Sequence, residues 1–140
     1  IEPIGGQCVV SRGRYRAKAD GFLVVPDLGT VVVEAKHVSE GRFAGQIQAE
    51  YLPQLFVTMH VCGARFGVLS VFYGLSRHTG YFVAWDEAYW AGIEREVEAF
   101  VTHLELGIPP DGEEQPAIGR LSLPAVHTNL KGLQKCLASA

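Results

Sequence analysis

At 140 residues and 48% hydrophobic content, the chain has the length of one domain and enough apolar material to bury a core, which excludes a disordered tail. No apolar run approaches the length of a membrane span, and a net charge of −3 gives no global pull toward nucleic acid. Binding to DNA then needs a local basic surface or metal ions. Cys8, Cys62 and Cys136 are odd in number and widely spaced, so neither a zinc site nor a disulfide framework is indicated; this fits a reducing cytosol. The first residue is isoleucine rather than methionine, which points to a processed product or a piece of a longer chain.

The apolar-centred segment Gln7–Ser11 reads as a first strand. Arg12-Gly13 turns it into a second, Arg14–Asp20. On an extended chain Arg12, Arg14, Arg16 and Lys18 share one face, and by parity it is the face of Asp20. They form either a cationic track for phosphates or the solvated edge of an outer strand.

Two valine-rich runs follow, Phe22–Val25 and Thr30–Val33, with Pro26-Asp27-Leu28-Gly29 between them. Proline suits the start of a type I turn and glycine the left-handed position closing a three-residue loop, so the segment predicts a β-hairpin. With Asp27, Leu28 and Gly29 in the loop, Asp20 faces Lys36 and lies diagonal to Glu34. Glu34 and Lys36 share a face because side chains alternate, and adjacent strands lie about 5 Å apart. A four-residue loop would instead send Asp20 to the opposite face. Asp27 sits at the hairpin tip, about 23 Å along the strand from Glu34, and is excluded from the cluster.

Two carboxylates and an ammonium at one strand end repel unless something offsets the like charges. A Mg²⁺ or Mn²⁺ ion does so, held by Asp20, Glu34 and a carbonyl such as that of Ala35, with waters completing its shell. Lys36 then holds a water and stabilises developing negative charge. The blander alternative is a surface ion network.

Downstream, His37, Ser39 and Arg42 fall in a glycine-containing loop, with His37 read as solvated. Ile47–Cys62 reads as a helix apolar over most of its circumference, and Pro53 moves its start toward Tyr51 or kinks it there. Gln46, Glu50, Gln54 and Thr58 form a polar stripe at four-residue spacing. Arg65–Tyr73 and Tyr81–Trp85 read as strands joined by a loop over Gly74–Gly80. Asp86 caps a helix from about Glu87 to Leu106, with Trp90, Ile93, Val97, Phe100, Val101 and Leu104 as its apolar stripe and Gly107 as its stop. Glu94, Glu96 and Glu98 are its wet face. Residues 1–107 read as the core; 108–140 read as a turn-rich linker and tail with a short helix over Leu130–Ala138 and no chemistry.

Asp20-Gly21 followed by Glu34-Ala35-Lys36 resembles the PD-(D/E)xK nuclease signature. Tyr51-Leu52-Pro53-Gln54 with Met59-His60-Val61-Cys62-Gly63 is similar to a helix of the lambda-exonuclease-like (YqaJ) viral recombinase family. The resemblance covers roughly Gln7 to Gly107. The chain departs from the family in having Ala19 where proline is common and Phe56 at a second glutamine position. It also has almost nothing where the family's helices precede the hairpin.

The resemblance implies an α/β fold, a restriction-endonuclease-like mixed sheet of about five strands flanked by helices. It implies a phage recombination exonuclease that resects duplex DNA in the cytoplasm of a bacterium or phage-infected cell. Asp20, Glu34, Lys36 and Gln54 are then catalytic, with Asp20, Glu34 and the Ala35 carbonyl on one or two Mg²⁺ or Mn²⁺ ions. Arg14, Arg16, Lys18 and Tyr51 then contact nucleic acid. A ring-shaped homo-oligomer and a single-strand annealing recombinase partner follow from the resemblance alone. The competing expectations are a structure-specific or repair-type endonuclease of the same superfamily, and a non-catalytic nucleic-acid-binding or assembly module.

Overall fold

The structure is a computed structural model that describes residues 2–3, 8–42, 49–109 and 121–138. The expected strand start at Gln7, the helix start at Ile47 with Gln46, and most of the linker lie outside these residues. The chain divides into two compact units, Ile1–Trp85 with Ala125–Ala140, and Asp86–Pro124.

The first unit is built on a mixed sheet. Its strands are β1 (Glu2–Pro3), β4 (Gly21–Val25), β5 (Gly29–Val38), β6 (Phe66–Tyr73), β7 (Arg77–Ala84) and β8 (Val126–His127), in the spatial order β1-β4-β5-β6-β7-β8. β1 and β8 are two residues each, so four long strands make the body of the sheet. A separate two-stranded ribbon joins β2 (Cys8–Arg12) to β3 (Tyr15–Ala19). The architecture is the expected α/β class, a mixed sheet flanked by helices.

β4 and β5 form the expected hairpin, but its register is shifted by two residues: Gly21 pairs with Val33 and Val25 with Gly29. Pro26, Asp27 and Leu28 form the loop. Leu28 N–H donates to Val25 O at 3.1 Å and Asp27 has φ 68°. Proline fixes a negative φ before it, so the turn is type II with Asp27 in the left-handed place, not type I. Aspartate tolerates that conformation. β5 also runs on to Val38, which takes His37 out of the expected loop and into the strand, where its ring nitrogen Nε2 bonds Gly74 O at 2.8 Å.

β5 pairs with β6 in parallel, which requires a crossover. Helix α1 (Leu52–Cys62) supplies it. A 3-10 turn over Ala49–Tyr51 precedes the helix, Pro53 sits in its first turn, and Gly63 closes it at φ 64°. Leu52, Leu55, Phe56 and Met59 recur at helical spacing and are fully buried against the sheet. Of the polar stripe, Glu50 and Gln54 are exposed, whereas Thr58 is buried and donates from Oγ1 to Gln54 O at 3.0 Å.

β7 begins earlier than expected, because Arg77-His78-Thr79-Gly80 pair with Tyr73-Phe72-Val71-Ser70 and leave a tight turn. The turn Gly74-Leu75-Ser76 is tied down by Ser76 Oγ, which donates to Glu40 Oε1 at 2.7 Å. On the sheet face away from α1, Val25, Val31 and Val68 form a cluster with Leu23, Phe66, Phe82 and Leu130. Leu130 opens α3 (Leu130–Ala138), the expected terminal helix, which packs beside β7 and β8.

The second unit holds α2 (Glu87–Leu106). The Asp86 carboxylate caps it by accepting from Tyr89 N–H at 2.9 Å, and Gly107 ends it at φ 66°. The expected stripe is buried only in its first half: Trp90 and Ile93 are buried, whereas Phe100 and Leu104 are 54% and 64% exposed. No described helix is long and apolar enough to cross a membrane.

Gly67 marks the tightest approach of α1 to the sheet. A Cβ there would lie 2.9 Å from both Leu55 Cδ1 and Met59 Sδ, side chains already fully buried. Gly67→Ala is expected to destabilise the chain by about 1–3 kcal/mol through overpacking. Gly80→Ala, where the nearest atom is Phe82 Cε2 at 3.8 Å, is expected to change little. Urea unfolding midpoints measure both.

Candidate active site

The pairings place Val32, Glu34, Lys36 and Val38 on the α1 face of β5, because Val32 lies beside Gly67, which α1 covers. Glu34 is therefore delivered into the core and is 2% exposed. Lys36, one repeat further along the strand, donates to Glu34 Oε1 at 2.8 Å. The first turn of α1 brings Gln54 over the same pair. Its Nε2 donates to Glu34 Oε1 at 2.5 Å, and its Oε1 accepts from Lys36 Nζ at 2.6 Å. The three side chains close a hydrogen-bonded triangle. Tyr51, at the cap of α1, adds its ring 5.6 Å from Lys36 Nζ, a cation–π distance. The burial of Glu34 removes the surface-network reading, because solvated pairs keep their carboxylate in water.

Asp20 occupies the bend between β3 and β4. With the observed register it stands opposite Glu34 rather than Lys36, since Gly21 already pairs with Val33. The shift removes the expected facing of Asp20 and Lys36; Asp20 meets β5 at the Ala35 backbone instead, and its charge acts on Glu34. Asp20 Oδ2 accepts from Ala35 N–H at 2.9 Å. The carboxylate thus continues the hydrogen bonding of β5 where β4 stops. That backbone bond has no sequence signal beyond an acid at a strand junction. The N–H and C=O of a strand residue point to the same side, so the Ala35 carbonyl also faces the Asp20 side.

The electrostatics fit this crowding. Burial, above all, lifts the Glu34 carboxyl above its usual 4.5; the charge of Asp20 adds to the rise, and the hydrogen bond and charge of Lys36 oppose it. Glu34 Oε2 is buried and has no hydrogen-bond partner. An orphaned buried carboxylate oxygen, a second carboxylate close enough to repel it and a strand carbonyl form a donor set suited to a hard divalent cation that keeps several waters. A cage made wholly of protein is not on offer: no group of three or more His, Cys, Asp or Glu side chains able to hold a metal occurs among the described residues.

The cationic residues arrange differently from the expectation. Arg14 lies in the β2–β3 turn, not in a strand. Ser11 pairs with Arg16 and Val9 with Lys18, which sets Arg16 and Lys18 on the exposed face of the ribbon. Arg12 pairs with Tyr15 on the other face, toward α1. There Arg12 Nη1 donates to His60 O at 3.1 Å, at the C-terminal end of α1, where a cation suits the helix dipole. The single track of four cations is split, because the hairpin turn at Gly13 takes up the residues that an extended chain would have kept in phase. Asp20 lies beyond this ribbon, so strand parity does not carry from Lys18 to it. Sequence reading also missed an aromatic group beside the ribbon: Tyr15 meets His60 edge-on at 5.2 Å, and Trp85 lies 5.4 Å from Phe56.

No family model matches the chain and no curated protein matches it. A solved structure titled "Crystal structure of SSO0001" is similar at a TM-score of 0.48 and 19% identity, over 69% of this chain and 47% of that one. The chain thus spans about half the length of the structure it matches.

The raised Glu34 value carries a sign. The folded chain keeps the Glu34 proton after the unfolded chain has lost it, so this group's contribution to stability falls as pH rises from 4.5 through the folded value. In metal-free buffer, the urea stability of the wild type is expected to fall relative to Glu34→Gln across that window. A pH-independent difference between the two proteins would refute the burial account.

Proposed function

We propose that the chain is a metal-dependent DNA nuclease that hydrolyses phosphodiester bonds, acting as an exonuclease on duplex ends. The observation that carries the reading is the Glu34–Lys36–Gln54 triangle beside Asp20, with Glu34 Oε2 buried and unpartnered. Asp20, Glu34 and the Ala35 carbonyl would hold one or two Mg²⁺ or Mn²⁺ ions. Such an ion, when bound, activates water and offsets charge on a phosphoryl oxygen.

The chain's own residues account for the rest. Lys36 presents a compact ammonium where negative charge develops on the phosphate. Gln54 fixes its direction through Oε1, and the Tyr51 face supports it from the side. In the metal-free chain Glu34 also holds the ammonium. Arg14, Arg16 and Lys18 carry backbone phosphates along the ribbon, a sequence-independent contact suited to an enzyme that travels along DNA. The resemblance to the viral recombinase family supports exonuclease action, a cytoplasmic setting, a ring-shaped homo-oligomer and an annealing recombinase partner.

A second reading has one specific observation in its favour. The described residues supply only two carboxylates, without a third His, Cys, Asp or Glu beside them, which suits a non-catalytic nucleic-acid-binding module that keeps the scaffold.

Incubation with linear and covalently closed plasmid DNA in Mg²⁺ or Mn²⁺ separates these cases. The exonuclease reading requires loss of linear DNA alone; cutting of closed circles indicates an endonuclease of the same superfamily, and no cutting of either indicates the module. Lys36→Ala is expected to lower cleavage about 10²–10³-fold. Glu34→Ala is expected to abolish it, with the far-ultraviolet circular dichroism of both variants unchanged. Asp27→Asn, at the hairpin tip, is expected to cleave as the wild type does.

A further inference from the structure

We infer that Lys36 is an internal competitor for the cation site: its ammonium occupies the Glu34 carboxylate until a divalent cation displaces it onto Gln54 and Tyr51. This rests on the metal-dependent reading above and adds a regulation of that site.

The bonding around Glu34 is lopsided. Oε1 receives both Lys36 Nζ at 2.8 Å and Gln54 Nε2 at 2.5 Å, whereas the buried Oε2 receives no hydrogen bond. A cation entering at Oε2 would bring a second positive charge against the ammonium, and the two cannot share one carboxylate without strong repulsion. The ammonium has somewhere to go. Gln54 Oε1 already accepts from it at 2.6 Å, and the Tyr51 ring lies 5.6 Å from it. Neither seat needs the carboxylate. The Lys36 side chain is 21% exposed, so its flexible stem has room to move.

The arrangement resolves the cost of a buried carboxylate before metal binds. An unpaired carboxylate held this deep is costly, and the lysine offsets that cost in the metal-free chain. Removing the lysine therefore opens the site to a cation while removing the charge that serves the reaction. Affinity and activity must move in opposite directions, which a lysine with a purely catalytic role would not produce.

The test is a titration with Mn²⁺ alone, read by electron paramagnetic resonance, on the full chain. Lys36→Met is expected to bind Mn²⁺ about tenfold tighter than the wild type, or ~1.4 kcal/mol. Asp27→Asn is expected to bind as the wild type does. A second measurement uses the wild type only: the acylation rate of Lys36, followed by mass spectrometry, is expected to rise when Mg²⁺ is added, while that of Lys18 stays constant. If Lys36→Met does not fold, this rate alone decides. Equal or weaker Mn²⁺ binding by Lys36→Met, or a Lys36 acylation rate indifferent to Mg²⁺, overturns the competition and leaves the metal-dependent reading standing. Mn²⁺ binding to neither protein overturns both.

Discussion

A carboxylate buried in the hydrophobic layer under a helix sets the terms for this molecule. Glu34 shares its face of β5 with Val32, and the neighbouring strand presents Leu69 and Val71, all fully buried or nearly so. Burying such a group is costly without partners, and both that it has meet Oε1. The strand supplies one from its own sequence, Lys36, because residues two apart point the same way. The helix supplies the other, Gln54. The parallel pairing of β5 with β6 forces the chain to cross over the sheet between them. The crossover is what holds the first turn of α1 above Glu34. The site is thus made by the same connection that makes the core.

The hairpin completes the arrangement from the opposite edge of β5. β4 stops pairing at Gly21, and the next residue, Asp20, uses its carboxylate in place of a backbone acceptor for Ala35 N–H. One short stretch of β5 therefore meets a carboxylate in the plane of the sheet and a lysine–glutamine pair above it. Negative charge is concentrated there by the fold and partly neutralised by Lys36. The rise in the Glu34 value follows from burial first and from Asp20 second.

The β2–β3 ribbon stands apart from the main sheet and divides its cations by role. Arg12 is committed to the end of α1 through His60 O, and Tyr15 packs edge-on to the His60 ring beside it. These contacts fasten the inner face of the ribbon. Arg16 and Lys18 occupy its exposed face, away from those contacts.

Several elements were legible from local pattern. The two valine runs with Pro26 and Gly29 between them specified a hairpin, and Asp86 with Gly107 marked the two ends of α2, since turns and caps depend on near neighbours. Alternation alone placed Glu34 and Lys36 together, and the two-residue error in the hairpin register could not disturb it because both lie on one strand. What the sequence could not carry was long-range. The pairing of Arg77–Gly80 rested on a partner strand, and Phe100 and Leu104 stay exposed although they continue the apolar stripe of α2. The closing of Gln54 onto Glu34 and the bond from Ala35 N–H to Asp20 join residues 20 and 15 positions apart. Composition and spacing determined which groups were present and which face each strand offered; only tertiary packing decided which of them meet, because a hydrogen bond needs its atoms within about 3 Å and no local rule fixes that distance across a crossover.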